Sequence, residues 1–207
     1  MSSISFIGLG SMARAIAERA IASGHEVQLV GRDAGKAERL AGALGGGATT
    51  GTFGAVPAGE LVVLAVPYTS AAKVLAEYGD ALAGKVVIDI SNTFDAAATG
   101  LVVPDGTSGA QEIAKALPAD AHVVKAFNTV FGHVLATGRS MDVLVAGDDV
   151  DAKRRVSAFI ETLGLRPFDV GGLELARWLE GVGPILMGLA RNGAGTFDVA
   201  LEVDLPD

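Results

Sequence analysis

Short apolar runs alternate with longer stretches in which apolar residues recur at helical spacing, and the alternation continues along the whole chain. Residues 4–7 form the first run, followed by an amphipathic stretch from Ser11 to about Ser23 with Gly24-His25 as its stop. Residues 27–30 are the next strand, and 33–44 read as a helix with Ala and Leu on one face. A glycine loop and a weak short segment at 48–52 follow. Residues 61–66 are continuously apolar, as expected of a strand covered on both faces. Pro67-Tyr68 end that run, and the spacing predicts a helix over 70–78 with Ser70 as its N-cap. Further strands are expected at 85–90, 121–127, 141–146 and 166–170, with helices at 110–117, 150–163 and 173–190.

Strands and helices in strict alternation predict an α/β fold, a doubly wound parallel sheet with helices on both faces. The chain reads as a single domain, 1–207, with a small C-terminal helical extension covering it from about 173 to 207. Ligands of such sheets bind outside the carboxyl ends of the strands, where the strand order reverses. The strand ends are Gly8 to Met12, Gly31-Arg32, Val66-Pro67-Tyr68, Ser91-Asn92-Thr93 and Phe127-Asn128-Thr129. They should form one rim.

The first of those ends carries the most specific chemistry. Gly8-Leu9-Gly10-Ser11-Met12-Ala13 is a G-x-G-x-x-A turn, a weak pattern alone in a chain with 28 glycines. Here it lies between a strand and an amphipathic helix, the context that a dinucleotide-binding (Rossmann-type) turn requires. Gly8 supplies the tight turn, Gly10 lets a pyrophosphate approach the main chain, and Ala13 lets the helix pack closely. The N-terminus of that helix points its unpaired N–H groups at the phosphates. At the tip of the second strand, where an NAD-binding fold places an acidic residue, stands Arg32, with Lys36 one helical turn on. A guanidinium and an ammonium there favour NADP(H), because both can hold a 2′-phosphate. Asp33 is the competing feature, since a carboxylate there could reach the ribose hydroxyls.

Composition narrows the rest. Half of the residues are hydrophobic and 19% charged, a globular balance. No apolar run approaches the roughly 20 residues that span a bilayer, and the N-terminus enters a strand directly, so the expected location is cytoplasmic with no membrane partner. The absence of cysteine removes disulfides, thiol nucleophiles and thiolate metal sites. A net charge of −8 argues against nucleic acid. It also means that an anionic cofactor needs a locally positive cleft, which Arg32, Lys36 and the helix N-terminus supply. No Ser-His-Asp arrangement, metal cluster or paired carboxylate stands out. His133 is the histidine nearest the rim. Trp178, beside Leu175 and Leu179 on the last helix, is assigned to the core or to a dimer interface.

With these strand ends in hand the chain resembles the F420-dependent NADP reductases and the related NADPH-binding domains of membrane ferric reductases. The likeness runs nearly end to end. It rests on the opening I-G-L-G-S-M-A, on Gly31-Arg32-Asp33-Ala34-Gly35-Lys36-Ala37-Glu38, and on Val63-Leu64-Ala65-Val66-Pro67-Tyr68. Ile88-Asp89-Ile90-Ser91-Asn92 and Val123-Val124-Lys125-Ala126-Phe127-Asn128-Thr129 match the ferric-reductase branch closely. Ala146-Gly147-Asp148-Asp149 and Leu163-Gly164-Leu165-Arg166-Pro167 fit both branches, and Pro184-Ile185-Leu186 and Arg191-Asn192-Gly193 resemble the soluble enzymes.

The resemblance implies hydride transfer between NADPH and coenzyme F420, with the two cofactors carrying the bond chemistry and no catalytic side chain. It implies that Gly8, Leu9, Gly10, Ser11, Met12, Gly31, Arg32 and Lys36 hold the nucleotide, and that Ala65, Val66, Pro67 and Tyr68 wall the nicotinamide. Asn92, Ala126, Phe127, Asn128 and Thr129 complete that side, Asn128 and Thr129 positioning the ring. Ser91, Thr93, Pro184 and Met187 face the acceptor. Two departures stand out: Gly31 replaces the usual serine, and Asn128 stands where the soluble archaeal-type enzymes carry histidine. An NADPH-dependent flavin reductase and a non-enzymatic NADPH sensor are the alternatives. The same opening occurs in 3-hydroxyacid dehydrogenases, imine reductases and pyrroline-5-carboxylate reductases, but these carry a long helical C-terminal domain for which this length leaves no room. A homodimer through the apolar last helix is expected.

Overall fold

In the computed structural model, which describes residues 2–95 and 97–205, the apolar runs become eight strands: β1 (Ser3–Ile7), β2 (Glu26–Val30), β3 (Thr49–Thr50), β4 (Leu61–Leu64), β5 (Val86–Asp89), β6 (His122–Lys125), β7 (Asp142–Gly147) and β8 (Arg166–Gly171). They make one sheet in the order β3-β2-β1-β4-β5-β6-β7-β8. The helices are α1 (Ser11–Ala22), α2 (Ala34–Leu44), α3 (Tyr68–Tyr78), α4 (Gly109–Lys115), α5 (Gly132–Leu135), α6 (Val150–Thr162) and α7 (Ala176–Leu189), the last running on into a π-helical turn, Ala190–Ala194. The last two residues of the expected C-terminal cover, Pro206 and Asp207, lie outside the described part, as do Met1 and Ala96.

The continuous apolar runs follow from two core layers. Successive strand residues face opposite sides of a sheet, and here both sides are covered. Ile4, Phe6, Val63 and Ile88 pack with Ile16 of α1 and Val156 and Phe159 of α6. Ile7, Val62, Leu64 and Val87 pack with Val74 and Leu75 of α3, Ile113 of α4 and Leu179 of α7 on the other side. Polar caps start three of the helices: Asp33, Ser108 and Asp149 accept the N–H of Lys36, Gln111 and Ala152.

Two expectations are corrected. The sheet is parallel from β3 to β6, but β7 lies antiparallel to β6, with Lys125 opposite Ala146, and β8 follows β7 in parallel. The connection after β6 carries the short helix α5 along α1, with Gly132 against Met12 and the Leu135 and Arg139 carbonyls accepting from Arg19, and it delivers β7 antiparallel to β6. The chain therefore leaves β8 heading away from the rim, and α7 turns back toward it past the ends of β5 and β6. The second correction concerns α3, which begins at Tyr68 with Pro67 as its N-cap. Pro67 fixes φ at −57° and starts the helix earlier, leaving Ser70 inside its first turn. Among the described residues no helix is long and apolar enough to cross a membrane.

Candidate functional site

The strand order reverses between β1 and β4, and a cleft of about 350 Å³ opens there. Gly8 at its floor has φ +116°, and a Cβ on it would overlap the Ala65 carbonyl, so sterics forbid a side chain. Gly10 differs. Its backbone is extended, φ −84° and ψ −179°, and a Cβ would meet nothing within 4 Å. The fold does not need this glycine, so the bare space belongs to whatever enters the cleft. Gly10 is also the N-cap of α1, with no capping side chain and no acid in the first turn. The first N–H groups of α1 are thus left for an anion. Arg32 and Lys36 line the same cleft, both exposed, and among the described residues neither has an acidic partner. Asp33 caps α2: one of its carboxylate oxygens accepts the Lys36 N–H at 2.9 Å. Gly31 stands where the resemblance leads one to expect serine, and a Cβ built there would lie 2.5 Å from the Leu9 side chain.

A second feature lies where the ends of β5 and β6 meet α7. Asn92, Phe94, Asn128, Gly183, Leu186 and Met187, with Thr129 to Phe131, enclose about 50 Å³. Two asparagines fix each other's orientation. Asn92 Nδ2 donates to the Asn128 carbonyl at 2.9 Å, and Asn128 Nδ2 donates to Asn92 Oδ1 at 3.1 Å and to the Leu179 carbonyl at 2.8 Å. Both Asn128 amide hydrogens are thereby used. Its Oδ1 is buried and has no partner among the described residues, so the site offers an acceptor to a ligand N–H. Just before it, Phe127 holds φ +61° with its ring fully buried, a conformation costing about 1–3 kcal/mol for a non-glycine residue.

A family model described as "NADP oxidoreductase coenzyme F420-dependent" matches residues 3–93, from β1 to just past the end of β5. The F420-dependent NADP reductase of Methanothermobacter marburgensis is 32% identical over 202 residues, 88% of this chain and 89% of the relative. The chain belongs to the coenzyme F420-dependent NADP oxidoreductase family. Metalloreductase STEAP3 of Rattus norvegicus is 31% identical over 185 residues, 86% of this chain, but the match spans only 36% of that longer protein. A crystal structure described as that of a candidate F420-dependent NADP-reductase from Arthrobacter sp. FB24 superimposes with a TM-score of 0.86 at 26% identity, over 99% of this chain and 100% of the other.

The cleft gathers Gly8, Leu9, Gly10, Gly31, Arg32, Lys36, Ala65, Val66 and Pro67. Ser11 is exposed at the start of α1, whereas Met12 packs on α5, its sulfur 3.0 Å from a Cβ built at Gly132. Tyr68 turns away from the cleft. It lies against Gly109, in a groove between α3 and α4, and burial together with Glu112, Glu180 and Asp89 pushes its hydroxyl pKa up. Thr93, expected to face the acceptor, is wholly buried and donates to Glu180 at 2.6 Å. Ser91 is also buried, its main chain held by Asp89 and Lys125. Ala126 and Phe127 are core. Met187 lines the small cavity, and Pro184 sits on α7 beside Gly183, which does. Trp178 is 70% exposed, so it is not core. His133 contacts the Phe197 carbonyl and Asp198.

Sequence reasoning missed Phe53, Ser70 and Val74, which also line the cleft. It also missed the buried cluster Asp89, Lys125 and Glu180. Its signal was present, since Asp89 and Lys125 are lone opposite charges in two apolar strands, and the register pairs them.

Proposed function

We propose that this protein transfers a hydride between NADPH and coenzyme F420. The observation that carries the reading is the unpartnered Arg32–Lys36 pair beside a glycine turn whose open space the fold itself does not use. When bound, the reduced nicotinamide supplies the hydride and the deazaflavin ring receives it at carbon, a proton coming from water. The chain's own groups bind and orient. The main chain from Gly8 to Gly10 and the first turn of α1 hold the pyrophosphate, and Arg32 and Lys36 hold the 2′-phosphate. Val66 and Pro67 wall the nicotinamide, and the free Asn128 Oδ1 accepts a ligand N–H. The segment from Pro184 to Met187 covers the acceptor side. The 50 Å³ cavity is far below the roughly 300 Å³ of an ordinary small-molecule pocket, so the acceptor ring lies over its mouth. Rate then comes from proximity and orientation.

The test is loss of oxidised F420 absorbance with NADPH and with NADH, with FMN and FAD in parallel. F420 should be consumed with NADPH and much more slowly with NADH. Hydride passing to FMN or FAD but not F420 would select a flavin reductase, a reading favoured by asparagine at 128 and by the match to a metalloreductase. Tight NADPH binding with no turnover of any acceptor would select a sensor.

The working unit is proposed to be a homodimer. Trp178, Ile185 and Leu189, 70%, 68% and 48% exposed, recur at seven- and four-residue spacing on one stripe of α7 and leave an apolar face on the surface. Ile185→Asp should convert a dimer to a monomer in light scattering. A monomeric parent chain would end this idea.

A further inference from the structure

Lys125, Asp89 and Glu180 are wholly buried just below the acceptor side of the rim. Lys125 Nζ donates to Asp89 Oδ2 at 2.8 Å, to the Ser91 carbonyl at 2.6 Å and to Glu180 Oε1 at 2.9 Å, which uses all three of its hydrogens. Glu180 is more heavily engaged. Besides Lys125 it accepts from the Thr93 hydroxyl and from the main-chain N–H groups of Gly109 and Ala110, at 2.6, 3.0 and 3.2 Å. One carboxylate on α7 thus ties together β6, the loop after β5 and the first turn of α4. Asp89 holds the Ser91 N–H at 2.9 Å and closes the loop back to β5.

Burying two carboxylates and an ammonium is an expensive way to attach a helix, and apolar groups of similar volume commonly do it as well or better. What apolar contact does not supply is register. The buried stripe of α7 and the turn that follows it reads Ala176, Leu179, Gly183, Leu186 and Ala190, small and aliphatic groups one turn apart. A slip of one turn would again set apolar residues against apolar residues, opposed only where a larger side chain would take the place of Gly183. Glu180, by contrast, meets its four donors at one position only. In that register the Leu179 carbonyl accepts from Asn128, and Gly183 comes so close that a Cβ on it would lie 2.7 Å from the Phe94 ring and 3.1 Å from Asn92 Oδ1. None of these groups lines the dinucleotide cleft.

We propose that Lys125, Asp89 and Glu180 are positioning residues that fix the register of α7 against the ends of β5 and β6, and so shape the acceptor side of the site without contributing to nucleotide binding. Its kinetic consequence rests on the reading that an acceptor is bound under α7. Glu180→Gln removes the charge and keeps the volume, and Thr93→Val removes a single donor. In Glu180→Gln, NADPH affinity measured by fluorescence titration should stay within about twofold, while kcat/KM for the acceptor falls about 10- to 100-fold, as a displacement near 1 Å can cause. Thr93→Val should move the same way by a smaller factor, and it carries the test if Glu180→Gln does not fold. Amide exchange by mass spectrometry gives a readout that needs no acceptor. Exchange should accelerate at 183–187 in both variants and stay unchanged in β1 and α1. Unchanged exchange at 183–187, acceleration throughout the chain, or equal losses of NADPH binding and acceptor turnover would each overturn the proposal. If the parent chain turns over no acceptor, the hydride-transfer reading fails, and the exchange experiment still decides the register.

Discussion

Gly10→Asp is expected to fold at least as well as the parent chain and to lose NADPH binding. Gly10 is the N-cap of α1 in the extended conformation that caps adopt, φ −84° and ψ −179°. Aspartate is among the best residues at such a position, because its side chain accepts the N–H groups that the first turn leaves free. Its charge also opposes the positive end of the helix. Nothing within 4 Å obstructs a Cβ, so the melting temperature should stay level or rise by a few degrees, about 2–4 °C per kcal/mol in a chain of this size. The same carboxylate would occupy the first-turn N–H groups and repel the pyrophosphate. Nucleotide affinity should fall at least about 100-fold, roughly 2.7 kcal/mol.

Gly8→Ala supplies the contrast. There φ is +116° and the new Cβ would overlap the Ala65 carbonyl, so stability and binding should fall together, with about 1–3 kcal/mol lost to backbone strain alone. Scanning fluorimetry beside a fluorescence titration reads both quantities on both variants. A Gly10→Asp protein that binds NADPH as tightly as its parent would place the pyrophosphate somewhere other than this turn.

The difference between those two glycines shows what the sequence held and what it did not. That Gly8 and Gly10 open a helix after an apolar strand was legible from pattern alone. Which of them serves the fold and which serves a ligand depends on Ala65, 55 residues after Gly10 in the chain. Asp33 is similar: as sequence it could cap a helix or bind a ribose, and the 2.9 Å bond to the Lys36 N–H shows the cap. Hydropathy also carries no strand direction, so the reversal of β7 was invisible although the strand itself was not. The region where α7 meets the ends of β5 and β6 was the least legible part. Thr93 sits on the rim in sequence order, yet it points at Glu180 because α7 returns along that face. A contact spanning 87 residues leaves no local signal. The opposite charges of Asp89 and Lys125 could have been matched by aligning two apolar runs in adjacent strands, whereas Glu180 reads as one more polar residue on a terminal helix.

Arg32→Ala should weaken NADPH binding about 10- to 100-fold and leave NADH binding unchanged, because hydrogen bonds to a charged group are worth roughly 1.5–3 kcal/mol. Arg32 is exposed at the tip of β2 beside the cleft and has no competing carboxylate among the described residues. Its guanidinium is therefore available to a 2′-phosphate through two parallel bonds. Lys36 offers only a point charge from the first turn of α2, so Lys36→Ala should cost less, about two- to fivefold, and its effect should shrink as salt screens an exposed pair. Selectivity should collapse by loss of NADPH rather than by gain of NADH. The residue that could have held unphosphorylated ribose hydroxyls, Asp33, remains engaged in capping α2. The two nucleotides should be titrated into the parent and both variants at low and at physiological salt. Equal weakening of NADPH and NADH in Arg32→Ala would mean that Arg32 meets a part of the nucleotide common to both, and the 2′-phosphate would then have to be read elsewhere in the cleft.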